Sequence, residues 1–177
     1  LAHHGMEDRL GDLARAALGI VGSLKPQHVL AEVGPCGLPL DGSSAASLNE
    51  NRSQYARAAR AFEGAALDAF LLGGFANPVD LKCALMGLRQ ASDLPVFAAI
   101  DVDGDGLVAD GRMAVEEAVA LMGEFGASVA GITTGAPADR AAELVERACA
   151  STDLPVLVQL RVADHAPQQG ASTPENP

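Results

Sequence analysis

Short apolar runs and helix-spaced stripes alternate along this chain. Met6, Leu10, Leu13, Ala14, Ala17 and Val21 fall on one face of a helix, which Gly22 and Pro26 end. Residues 28–33 then read as a strand closed by Gly34-Pro35-Cys36-Gly37. A long Ser-, Gly- and Asn-rich loop is expected over residues 39–51. Tyr55, Ala58, Ala59, Phe62 and Ala66 mark a second helix, and residues 67–72 a second strand ending in Gly73-Gly74. Asn77-Pro78 is a helix-start signal, followed by the stripe Leu81, Leu85, Leu88 and Ala91. Residues 95–101 form a third strand. A helix with Val115, Ala118, Val119 and Met122 on one face follows, with Glu116 and Glu117 suitably in its first turn. A fourth strand over residues 127–132 ends in Thr133-Thr134-Gly135. The stripe Ala141, Val145, Ala148 and a fifth strand over residues 156–162 complete the pattern.

Ser92-Asp-Leu-Pro-Val96 returns as Thr152-Asp-Leu-Pro-Val156, each copy ahead of an apolar run. Two repeat units fit between them, each of about thirty residues, the length of a strand plus its covering helix. Strands alternating with helices imply an α/β protein with a parallel sheet. Two architectures satisfy this: an open doubly wound sheet, or parallel β/α units of a TIM-like (β/α)8 barrel with about five strands present. Residues 1–163 would form this one domain, and residues 164–177 have the composition of a tail or linker. The chain opens on Leu1 inside a helical pattern, so it reads as a piece of something longer.

In both architectures ligands sit at the carboxyl ends of the strands. That makes Glu32, Gly34, Gly73, Asp101, Asp103, Thr133, Thr134 and Arg161 the candidate ligand-binding residues. Asp101-Val-Asp103-Gly-Asp105-Gly106 matches the first half of a calcium loop. The second half fails, because Arg112 stands where a bidentate carboxylate is needed. An acidic turn is the better reading, with Asp101 presenting a carboxylate to the crevice. Gly34-Pro-Cys-Gly37 lacks the spacing of a phosphate loop. Cys36 has no histidine placed to activate it. Glu32, inside an apolar run, is expected at an exposed barrel-end position or paired with Arg161, a ligand contact being the sharper alternative. No residue is assigned a catalytic role.

Composition narrows the partners. A formal charge of −11 disfavours nucleic acid and anionic membranes. No apolar run is long enough to span a bilayer and no leader pattern is present, so a cytoplasmic location is expected. Three widely spaced cysteines, Cys36, Cys83 and Cys149, fit neither a disulfide framework nor a zinc knot.

The ordered strand ends resemble a known family. Val29-Leu-Ala-Glu-Val-Gly-Pro-Cys-Gly-Leu-Pro-Leu40, Gln54-Tyr55-Ala56, Asp68-Ala-Phe-Leu-Leu72, Pro95-Val96, Glu117-Ala-Val119 and Ala130-Gly-Ile132 are similar to the homocysteine S-methyltransferases, which include the homocysteine-binding domain of cobalamin-dependent methionine synthase. The resemblance spans roughly residues 6 to 162 and implies a (β/α)8 barrel, of which this chain would supply the third to seventh strands. It also implies methyl transfer to a thiol, on a zinc held by three cysteines that makes the thiolate. The departures are specific. Gly131-Ile132-Thr133-Thr134 stands where the family has Gly-Ile-Asn-Cys, Gly73-Gly74 stands where it has Glu-Thr, and there is no Cys-Cys pair. Threonine is a poor zinc ligand beside thiolate. The expectation is a methyltransferase-like domain without a zinc site of its own, holding a small amino-acid-like ligand. The alternatives are an assembly domain, as a homo-oligomer or with the remainder of the barrel, and a different barrel enzyme using Asp101 and Asp103.

Overall fold

The computed structural model describes residues 9–108 and 111–162; the 164–177 tail lies outside them. Among the described residues five helices and five strands alternate: α1 (Leu10–Ser23), β1 (Leu30–Val33), α2 (Ala45–Arg60), β2 (Ala69–Phe75), α3 (Pro78–Ala91), β3 (Val96–Val102), α4 (Val115–Glu124), β4 (Val129–Thr134), α5 (Ala138–Ala150) and β5 (Val156–Leu160). Each strand pairs in parallel with the next, in the order β1-β2-β3-β4-β5.

That order decides between the two architectures. A doubly wound sheet reverses its strand order at a switch point, whereas a barrel winds one way throughout. This sheet winds one way and, among the described residues, does not close. Right-handed crossovers then put the helices on one face. Accordingly Phe70, Leu72, Val96, Ala98, Ile100, Ala130 and Ile132 share a single core with Tyr55, Leu81, Leu85, Leu88, Val119, Met122 and Leu144 of α2 to α5. Alternation sends the intervening strand residues to the other, inner face. Leu71, Phe97, Val129 and Leu157 are half-buried there.

The sequence periods locate the elements, but several ends differ: α2 stops at Arg60, so Phe62 and Ala66 of its expected stripe lie beyond it, and β4 runs on through Thr133 and Thr134. Half of the expected 39–51 loop is helix. The Ser44 side chain accepts a hydrogen bond from Ser47 N at 3.3 Å and starts α2 there, and Asn51 is buried on its inner side. β2 runs on through Gly73 and Gly74 because the β2–β3 register slips between Leu72 and Phe75. Gly74 takes a left-handed φ of 74° in that bulge. Asn77 caps α3 as expected, its Oδ1 accepting from Val79 N at 2.8 Å. α1 is a helix as its stripe from Leu10 onward requires, Met6 lying outside the described residues, yet only Ala14 is buried in it, and Ile20 and, just past its end, Leu24 are largely exposed. No helix among the described residues is long and apolar enough to cross a membrane.

Candidate functional site

Three polar side chains stand side by side on the inner face at the carboxyl ends of adjacent strands. Asp101 of β3 is in register with Thr133 of β4, and Thr133 with Gln159 of β5. Thr133 Oγ1 donates to Gln159 Oε1 at 2.9 Å. Arg161, two residues beyond Gln159 and so on the same face, is tied to β4 by its backbone N–H, which donates to Thr134 O at 2.8 Å. Its guanidinium reaches back across β4 to Asp101 Oδ2 at 2.5 Å. The carboxylate holds the Arg161 pKa above its usual value, so the arginine keeps its charge.

The pair is asymmetric. The Arg161 side chain is 56% exposed and that of Asp101 only 15%. Solvent screening leaves such a rim ion pair little net stability. Asp101 Oδ1, by contrast, is buried without a hydrogen-bond partner among the described residues. An unmet buried acceptor costs about 1–3 kcal/mol, so a ligand ammonium or hydroxyl that supplied a donor would recover it.

The other candidates divide. Glu32 is exposed on β1, two strands away from the Asp101 row, and it does not pair with Arg161. Its carboxylate lies over Gly73, where an added Cβ would stand 2.6 Å from Glu32 Oε1. Gly34 brings the end of β1 close to Gly73, its Cβ position lying 3.7 Å from Gly73 O. A groove of about 530 Å³ opens at this corner, lined by Glu32, Gly34, Cys36, Gln54 and Arg57. Asp103 serves its own loop: Oδ1 accepts from Asp105 N and Leu107 N, both at 2.9 Å. Asp105 is held by Arg140 and Arg147, so the half-motif folds as an acidic turn rather than an open ring of oxygens. Thr134 faces the helices, and its hydroxyl accepts from Ala136 N at 3.1 Å.

Two features escape the sequence reading. Gln159 completes the polar row; its signal is a polar residue inside an apolar run with the same parity as Arg161. Behind β1, Tyr55 donates to Asp80 Oδ1 at 2.6 Å and accepts from Cys36 N at 3.0 Å. The Cys36 thiol donates to Asn51 Oδ1 at 3.1 Å. Burial pushes the Tyr55 pKa far up, with Asp80 adding to it, so the tyrosine stays a neutral donor. Burial also raises the Asp80 pKa, against the opposing pull of the Tyr55 hydrogen bond. The network pins the β1–α2 loop to both helices.

The residues present do not fit the three-cysteine zinc that the family resemblance implies. Cys36 is half-buried and bonded to Asn51, Cys83 is buried on α3 and Cys149 is exposed on α5. The described residues contain no group of three or more His, Cys, Asp or Glu placed to hold a metal ion.

Comparison with solved structures gives the fold a reference. The apo form of the homocysteine methyltransferase MmuM from Escherichia coli superposes with a TM-score of 0.65 at 18% identity, over 90% of this chain and 62% of that one. Its metallated form gives 0.63 at 18% identity, over 87% and 58%. The fold is the homocysteine methyltransferase fold, in part. This chain thus spans less than two thirds of the length of those enzymes. At this identity the likeness is one of fold. No family model matches the chain, and no curated protein matches it by sequence.

Proposed function

We propose that this chain is a homocysteine methyltransferase-like domain that binds a small amino-acid-like ligand at its strand ends, without activating a thiol on a zinc of its own. The observation that carries the reading is the Asp101–Thr133–Gln159–Arg161 cluster, at the end of a parallel sheet where such folds hold their ligands. Asp101 Oδ1 is an unmet acceptor for an ammonium, the exposed guanidinium of Arg161 can take a carboxylate, and Thr133 and Gln159 add hydroxyl and amide contacts between them. A free thiol has a pKa of about 8.5 and is mostly protonated at neutral pH. Nothing in the cluster is a base suited to removing that proton, so its role is binding and orientation. Methyl transfer to a thiol stays a property of the wider fold, and Asp103, committed to its loop, leaves the Asp101/Asp103 enzyme reading without support.

Two titrations test this. Calorimetry with zinc is expected to show no stoichiometric binding that depends on free thiols; tight one-to-one binding abolished by alkylation would overturn the zinc-free part. Titration with L-homocysteine or L-methionine, followed by NMR, is expected to move the amides of Asp101, Thr133 and Arg161, and Asp101→Ala should weaken binding at least about tenfold. Shifts confined to other residues, or binding unchanged in the variant, would reject the site.

A further inference from the structure

We propose that a second copy of this chain closes the sheet, β5 of each copy pairing in parallel with β1 of the other about a two-fold axis, so that the partner's Glu32 reaches Arg161. The inference starts from the two edges and needs no bound ligand, although the partner's Glu32 would share the Arg161 guanidinium with a ligand carboxylate. β1 and β5 each pair on one side only among the described residues, leaving a row of backbone N–H and C=O groups on the other. Each edge strand carries one exposed leucine, Leu30 (41%) on the inner face and Leu160 (56%) on the helix-facing side. Proteins normally cover such edges, because an uncovered one recruits another strand. The inner face between them carries the half-buried Leu71, Phe97, Val129 and Leu157, while α2 to α5 all pack on the opposite side.

Geometry favours a second copy as the occupant. All five strands run the same way. A two-fold axis along the strand direction therefore lays β1 of one copy beside β5 of the other in the same parallel sense as every pair already in the sheet. Both seams are identical, so two copies close the ring and no edge remains to extend a polymer.

Charge points the same way. Glu32 and Arg161 both lie on the inner face at the carboxyl ends, on opposite edges of the sheet. Glu32 makes no ion pair among the described residues, whereas the guanidinium of Arg161 is more than half exposed beyond its contact with Asp101. Pairing that levels the carboxyl ends brings the two opposite charges together at each seam. The partner's Glu32 then completes the rim beside Asp101 and Arg161.

Sedimentation equilibrium of the intact chain tests the assembly. The wild type is expected to be a dimer. Glu32→Lys places two cations at each seam and Arg161→Glu two anions, and each variant alone should raise the dimer dissociation constant at least about tenfold. An equimolar mixture of the two variants should dimerise again, because a mixed pair restores opposite charges at both seams. A wild-type monomer at about 100 μM, an open-ended polymer, or a mixture that stays dissociated would each overturn the proposal. Circular dichroism confirms that the variants are folded, and the wild-type measurement decides even if they are not.

Discussion

The Tyr55–Asp80 hydrogen bond puts a carboxyl where burial opposes its charge, and that has a pH consequence. With its folded-state pKa raised, Asp80 holds a proton more tightly in the folded chain than in the unfolded one. Its contribution to stability is therefore greatest in acid, and is lost as pH climbs from the ordinary value of about 3.8 through the raised one. Asp80→Asn keeps an acceptor for the tyrosine and cannot titrate. The variant should gain stability relative to wild type as pH rises across that interval, then hold a constant advantage. Urea midpoints at about pH 3.5 and pH 7 measure the difference, and a difference that is flat or falls with pH contradicts the assignment. At this scale the sequence is legible only in part. Asp101, Thr133 and Arg161 can be found because they end strands. Thr134 faces the helices through strand parity, which an alignment of the strand one residue out of place would reverse. Asp103 looks like a ligand by residue type, but whether its oxygen turns inward to the loop depends on backbone N–H groups that no side-chain pattern reveals.

At the scale of elements, α2 and α3 approach closely, and a glycine permits it. A Cβ at Gly87 of α3 would stand 2.5 Å from Arg52 O and 2.7 Å from Tyr55 Cβ, both on α2. Gly123, in the last turn of α4, would meet only Leu154 Cδ1 at 3.6 Å, an ordinary contact. Alanine gains about 1 kcal/mol over glycine in a helix, while overpacking costs about 1–3 kcal/mol. Gly123→Ala should thus stabilise the protein by about 0.5–1 kcal/mol, and Gly87→Ala should destabilise it, because the backbone of α2 cannot give way. Thermal unfolding of the two variants checks the opposite signs; equal shifts would mean the helices are not in this contact. Element order and type were readable because apolar spacing changes from two to 3.6 at each junction. The start of α2 was not, since Ser44, Ser47, Asn49 and Asn51 are weak helix formers by composition and act here as a cap and a buried helix side.

For the whole molecule, openness predicts an uneven distribution of stability. β3 is paired on both sides and carries the fully buried Val96, Ala98 and Ile100. Among the described residues β1 has one neighbour and only Ala31 buried, and α1 has only Ala14. Amide exchange by local opening follows buried contacts and paired backbone, so it should grade outward from the middle of the sheet. Amides of β2, β3 and β4 should exchange slowest, near the rate set by global unfolding. Those of α1 and β1 should exchange fastest. The same experiment at two protein concentrations separates the edges from the middle. If a second copy covers β1 and β5, protection at those strands rises with concentration while β3 stays unchanged, because its bonds are complete within one copy. Uniform protection across all five strands at low concentration would mean that the sheet is held as one cooperative unit despite its open edges. The one-sided core of α2 to α5 would then suffice to stabilise it.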